Sequence, residues 1–428
     1  MTLSLFDSFY NIKKVLFLYF IFTLTTILFA DKDLLSISEM KKKADNGEVK
    51  AIIFLGNSYY FGQDVEKDYK KAFDYYDKAV KLGSKSALFN LALCYDNGFG
   101  VKKNRFRAYQ LYKEAASFGI PQAKYNLSLC YINGVYDNKE SLTLLEPNKE
   151  KAKIILKELV SLGFPPAYRE LAKLYLENNT KESAKRAFEL LKQGAAKFDP
   201  AAMTLLADCL FYGKGCEKND KERILWLEKA AEHGSIEALA KLAYCYEHGD
   251  SVEIDTKRAF AYYLQAAQLG LPMAQAKVGE CLTFGNYVKV NLKEGKKWLL
   301  KAARNGNAKA IFALGMFALE GITEKKDEKK AATFFLQAAR FGEIHAQYNI
   351  ACFYRNGRGV KKDLKAAFAW FKEAAKNNDS KAQRELGFSY IKGEGTKKDF
   401  NKGILWLKKA AANGDLKAQK LLYEFSVK

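Results

Sequence analysis

Proline is scarce: the 428-residue chain has six. Long helices are therefore permitted and proline-rich linkers are excluded. Histidine is scarcer still, at three (His233, His248 and His345), which leaves little material for general-base chemistry near neutral pH. Only eleven of the 70 basic residues are arginine. Phosphate and base-edge readers favour the bidentate arginine fork, so the net charge of +21 reads first as a lysine-rich, solvated surface. His-Glu-x-x-His, Gly-x-Ser-x-Gly and Walker-type loops are all missing. With 49% apolar and 28% charged residues, the composition excludes a disordered or low-complexity chain.

Long apolar runs are also missing, with one exception. Lys13-Lys14 precede sixteen uncharged residues, Val15 to Ala30. That run is shorter than a membrane span of about 20 residues and suits the core of an export signal. Residues 1–30 are read as a secretory signal peptide cut after Ala30. Leu28 is large for its place three residues before the cut, so an uncleaved membrane anchor stays open. The expected location is accordingly outside the cytoplasm, in the periplasm or the medium. A membrane association is expected only if the segment is retained. The lysine-rich, disulfide-poor composition points to a bacterial cell envelope.

What is abundant is repetition. The alanine of the phrase Ala-x-x-x-Leu-(Gly/Ala) recurs at 51, 87, 123, 167, 202, 238, 274, 310, 346, 382 and 418. The steps are 36, 36, 44, 35 and then 36 six times. Four residues before the anchor stands a glycine, replaced by Phe198 and Asn378 in two units. Eleven after it stands another, with Asn178 substituting once. Each unit reads as two helices. Ala87, Leu91, Cys94 and Tyr95 share one face of the first, which Gly98 closes in a left-handed conformation. A short loop leads to the second, which runs through Ala108-Tyr109-x-Leu111-Tyr112 to Ala115-Ala116. Neither helix buries its faces alone, so stacking between units must do so.

The pattern resembles the Sel1-like repeat, a relative of the tetratricopeptide repeat. The residues that carry the resemblance are Gly357-Arg-Gly-Val-Lys-Lys-Asp363, then Lys365-Ala366 and Trp370-Phe371-Lys372-Glu-Ala374-Ala375. Tyr390-Ile-Lys-Gly393-Glu-Gly395-Thr-Lys-Lys-Asp399 and Trp406-Leu-Lys-Lys409-Ala410-Ala411 repeat it. The resemblance implies an all-α fold, a right-handed superhelical α/α solenoid of about ten helix-turn-helix repeats with half-repeat caps. Residues 31–50 would form the N-terminal cap and 51–135 the first repeats. Residues 136–149 would form an enlarged loop holding eight inserted residues. Residues 150–417 would carry the remaining repeats, and 418–428 the C-terminal cap. The unit at Ala167 lacks its glycine loop.

Five of seven cysteines (94, 130, 209, 245 and 281) lie seven residues after an anchor, on the inward face. Equivalent positions in packed neighbours are about 10 Å apart, too far for a disulfide, which needs about 7 Å between Cα atoms. They read as small apolar core residues. Cys209 and Cys216 remain a candidate pair, and Cys245 with His248 a weak metal motif. A cysteine-rich branch of the family is described as β-lactam-binding or β-lactam-hydrolysing, but its Cys-x7-Cys pair is missing here. Ser38-Glu-Met-Lys41 fits a Ser-x-x-Lys motif without the accompanying Ser-Asp-Asn or Lys-Thr-Gly.

A binding surface remains. In tetratricopeptide-like units the concave face is lined by first-helix residues at offsets −1, +2, +6, +9 and +10 from the anchor. By that analogy the groove holds Tyr60, Phe61, Phe89, Tyr125, Phe211, Tyr212, Phe284, Phe312, Tyr348, Arg355, Asn356 and Arg384. Arg169, Thr204, Glu247 and His248 fall in the same rows. Rigid rings with amides and arginines between them suit an extended peptide. The expected function is a monomeric, exported adaptor that binds a protein or peptide, without cofactor, metal or nucleic acid. The alternative is a β-lactam or peptidoglycan hydrolase.

Overall fold

The computed structural model describes residues 36–137 and 142–426. The expected signal peptide, 1–30, and the first five residues of the expected N-terminal cap lie outside the described residues. Among those described there are twenty-two helices and one two-stranded hairpin. The chain forms two compact units that part between Ser235 and Ile236.

The first unit opens with a lone helix, Ile37–Asp45, whose Ser36 and Glu39 form a capping box. Five helix pairs follow: Val49–Phe61 with Tyr69–Lys81, Lys85–Asn97 with Arg105–Ser117, Pro121–Asn133 with Lys149–Ser161, Pro165–Leu176 with Lys181–Ala196, and Pro200–Tyr212 with Asp220–Glu232. The second unit holds Ile236–His248 with Thr256–Gln268, Pro272–Phe284 with Leu292–Arg304, Ala308–Glu320 with Glu328–Arg340, Ile344–Asn356 with Leu364–Lys376, and Ser380–Lys392 with Phe400–Ala412, closed by Leu416–Ser426. Within each unit every helix packs on the next in the chain, the arrangement of an all-α solenoid.

Local chemistry sets these boundaries. First helices start two residues before the anchor, at a cap such as Ser84, Asn307 or Asp379, or at Pro121, Pro165, Pro200 or Pro272 in the first turn. They stop at glycines such as Gly98, with φ 77°. Second helices start at a capping oxygen; Asp363 accepts the N–H of Ala366 at 2.9 Å. Anchor alanines are fully buried between neighbours, and second helices supply four of the five largest fully buried rings, Tyr76, Tyr112, Phe335 and Phe371. The Gly of the Leu-Gly phrase makes room for them: a Cβ on Gly315 would lie 2.6 Å from the Phe335 ring.

The Gly-x-Gly loops meet the preceding repeat. A Cβ on Gly359 or Gly395 would lie 2.1 or 2.0 Å from the carbonyl oxygens of Glu328 and Leu364. The second glycine thus permits backbone-to-backbone contact between repeats.

Several boundaries differ from expectation. Residues 136–149 are not a plain loop. Val135–Asp137 pairs antiparallel with Leu142–Leu145, and Lys149 already opens the next helix. Val135 is fully buried and anchors the hairpin against the helix Arg105–Ser117. The N-terminal cap is shorter than 31–50, because Val49 and Lys50 belong to the first pair, and the final helix starts at Leu416. Around Ala167 the positive φ falls on Asn179 (51°), one residue after the expected Asn178, and the following helix lengthens to 16 residues. No described helix is long and apolar enough to cross a membrane.

Candidate functional site

The +2 row mostly turns inward. Tyr125 is fully buried, its ring 5.7 Å from Phe164, three residues before the next anchor. Arg169 is buried too. Its guanidinium donates twice to the Asp199 carboxylate at 2.9 Å, to Glu170 at 3.0 Å and to the Tyr125 hydroxyl at 3.1 Å. Thr204 and Ser235 share a hydrogen bond of 2.9 Å, and Arg384 donates to Asp415 at 2.5 Å. Asp199 and Asp415 also cap their own helices. In each case the +2 side chain meets position −3 of the following repeat. Helical Cα–Cβ bonds tilt toward the N-terminus, which aims an early side chain at the neighbouring N-cap. Phe89 is buried 6.1 Å from Tyr112. Phe89, Tyr125 and Arg384, expected in the groove, therefore occupy packing and joint positions. Phe312 and Tyr348 are half-buried, 5.6 and 5.9 Å from Phe335 and Phe371.

The +9 and +10 rows divide. Tyr60 is half-buried among Phe61, Tyr69, Tyr76 and Phe99, and burial raises its hydroxyl pKa. Phe211 lies under the Arg223 guanidinium at 4.0 Å. Arg355 donates to Glu385 at 2.5 Å and lies over Phe371. Tyr212, Phe284 and Asn356 stay exposed, Tyr212 by 60% and Phe284 by 71%.

The second unit also holds a polar network around Glu247. Glu247 accepts from the Tyr263 hydroxyl at 2.8 Å, the Tyr287 hydroxyl at 3.0 Å and the Lys277 ammonium at 2.6 Å. Burial pushes its carboxyl pKa up, but the hydrogen bonds from Lys277, Tyr263 and Tyr287 outweigh it and hold the value below the ordinary one. Nearby Glu280 is raised by its burial, against the opposing pull of Lys277 and Lys309. Tyr287 has φ 71°, a left-handed conformation uncommon for a bulky residue. It stands where Gly359 and Gly395 stand in later repeats, and its ring reaches back 40 residues to Glu247. Beside the network, exposed Tyr244 stacks on His248 at 4.1 Å. Glu247, His248 and Tyr244 stand at the expected offsets +9, +10 and +6 from Ala238, whereas Lys277 and Tyr287 lie outside those rows. A bulky residue in a glycine slot was the available signal.

The remaining candidates offer little chemistry. All seven cysteines are free thiols, and Cys216 Sγ donates to the Cys209 carbonyl at 3.5 Å. Burial pushes Cys94, Cys130 and Cys209 up to about 12 and Cys281 to about 11, so these four are not thiolates at neutral pH. Ser38 and Lys41 are both exposed on the cap helix Ile37–Asp45. No group of three or more His, Cys, Asp or Glu among the described residues is placed to hold a metal. An open groove of about 580 Å³ lies among Val160, Leu171, Tyr175 and Leu190, beside the turn that lacks its glycine loop.

The Sel1 repeat model matches residues 49–84, 85–117, 121–158, 165–197, 200–235, 236–271, 272–307, 308–340, 344–379 and 380–415. A Sel1 repeat protein from Oxalobacter formigenes is 30% identical with a TM-score of 0.50, the match covering 56% of this chain and 96% of that one. A protective antigen of uropathogenic Escherichia coli displaying an SLR fold is 26% identical with a TM-score of 0.47, covering 91% and 90%. Helicobacter pylori cysteine rich protein B is 27% identical with a TM-score of 0.25, covering 30% and 96%. No curated protein matches the chain. With ten matched segments between residues 49 and 415, each coinciding with a helix pair, the chain belongs to the Sel1 repeat family.

Proposed function

We propose that the chain is an exported, non-catalytic adaptor that binds a protein or peptide partner through exposed first-helix residues. Sel1 repeat proteins generally serve as scaffolds for protein–protein interaction. The observation that carries the reading lies in the second unit. Tyr244 and Phe284 are 52% and 71% exposed on successive first helices that bury most of their other apolar side chains. Large solvated rings on helices that otherwise bury their apolar side chains are the pattern of a contact surface, because burying them releases most apolar area per ordered rotamer. The export half of the reading rests on the Val15–Ala30 run alone.

A photoreactive phenylalanine analogue tests the binding. Placed at Phe284, it should give a discrete crosslinked adduct in the native cell. Placed at Ile154, exposed on a second helix, it should give none. Equal crosslinking at both sites removes the first-helix surface from consideration. For export, N-terminal sequencing of the mature protein should begin at Asp31, and a cytoplasmic, uncut chain would refute it.

A further inference from the structure

The loops that join paired helices form one edge of the second unit, and the basicity of that edge is ordered. Fifteen residues after the anchor stand Lys289, Lys325, Lys361 and Lys397 in four consecutive repeats. All four are exposed, and none forms an ion pair among the described residues. The next position is Lys326, Lys362 or Lys398 in three of them, and it has a packing role: Lys362 Cβ lies 3.3 Å from where a Cβ on Gly357 would be. Successive loops stand side by side. Gly359 and Gly395 rest on the first turns of the preceding second helices, and Arg358 reaches Glu328 at 2.7 Å. The lysines therefore form a row at roughly the 10 Å spacing of packed helices.

Most acids on this edge are engaged. Glu324 is held by Lys296 and Lys330 at 2.5 and 2.7 Å, and Asp327, Asp363 and Asp399 cap helices. Glu253 and Glu394 lack such partners among the described residues. The same edge exposes apolar side chains: Ile254 by 66%, Val290 by 51% and Phe400 by 49%. A nucleic acid would call for stacking rings and free arginine forks between the cations. On this edge the Tyr287 ring is held by Glu247, and Arg358 is taken by Glu328. A row of free ammoniums with aliphatic and aromatic tips between them fits an anionic plane with an apolar layer beneath it.

We propose that the loop edge of the second unit binds the surface of an anionic lipid bilayer, with Lys289, Lys325, Lys361 and Lys397 facing the headgroups. Each lysine close to such a surface strengthens binding about five-fold. Partition of the full chain into phosphatidylcholine vesicles, with and without phosphatidylglycerol, tests this by co-sedimentation. Wild type should bind the anionic vesicles more tightly, and added salt should remove the difference. Replacing the four lysines together by glutamine should reduce the anionic-lipid-dependent binding by at least about ten-fold, with unchanged helical circular dichroism. The Val15–Ala30 run is common to both proteins, so their difference isolates the loops. A control with Lys42, Lys113, Lys192 and Lys221 changed to glutamine should retain binding. The proposal is overturned if the four-lysine variant binds like wild type, or if the control loses as much. It is equally overturned if the variant loses binding to a single-stranded oligonucleotide while vesicle binding persists.

Discussion

Phe198 shows how one side chain can oppose its backbone. It occupies the glycine position between repeats with φ 60°, and its ring is 68% exposed, 5.4 Å from His233. A left-handed conformation costs an L-residue roughly 1–2 kcal/mol. Phe198→Gly should therefore stabilise the first unit, seen as a raised urea midpoint, by somewhat less than that free energy because the ring contact is lost and the unfolded chain gains freedom. Arg169 lies at the other extreme. Its three acceptors leave no compensation for its removal, so Arg169→Ala should destabilise the first unit by about 3–5 kcal/mol, read by chemical denaturation. Glu247 brings a pH dependence. Its folded carboxyl ionises below the ordinary value of 4.5, so the network stabilises fully above that pH. The stabilisation is lost as pH falls through the lowered folded value. Glu247→Gln should lower Tm at neutral pH, and the gap from wild type should narrow on acidification below 4.5. A gap that is constant with pH would show that the charge is irrelevant.

At the scale of elements, joints between repeats use alternative chemistries at matched positions. Gln347 donates to the Ala339 carbonyl at 3.3 Å and accepts from Asn377 at 3.4 Å, thirty residues on. Gln383 with Asn413, and Gln275 with Asn305, repeat the arrangement. Where the first position is Ile311, the residue thirty on is Phe341, and Ile52 with Leu82 and Leu88 with Phe118 follow the same rule. Gln347→Ile alone should cost about 1 kcal/mol, since it strands polar groups at the turn. Adding Asn377→Phe should recover most of that loss in a thermal melt; no recovery would show that the two positions act independently. The pairing was present in the sequence as two parallel columns. It stayed unread because a column's meaning depends on a neighbour that only stacking supplies. Helix stops were legible for the opposite reason: a glycine such as Gly98 acts through its own backbone. Gly315→Ala belongs to the same scale. It forces a methyl into the Phe335 ring and should cost about 1–3 kcal/mol.

For the whole molecule, stability is built from contacts between neighbours, because each helix packs mainly on the next. Phe371→Ala should thus raise amide exchange in the helices from Ile344 to Ala412 and leave Ile236–Gln268 nearly unchanged. Uniform loss of protection across the second unit would show instead a single cooperative body. Composition and spacing were enough to determine the period and the helix pairs, since these depend on interactions within about a dozen residues. The fate of the +2 row was decided by tertiary structure alone. A first-helix side chain faces solvent or a joint according to what the next repeat places at its N-cap, and Tyr125, Arg169 and Arg384 found partners there. The hairpin at Val135 and the reach of Tyr287 to Glu247 were settled in the same way, by surfaces that exist only after neighbouring repeats have docked.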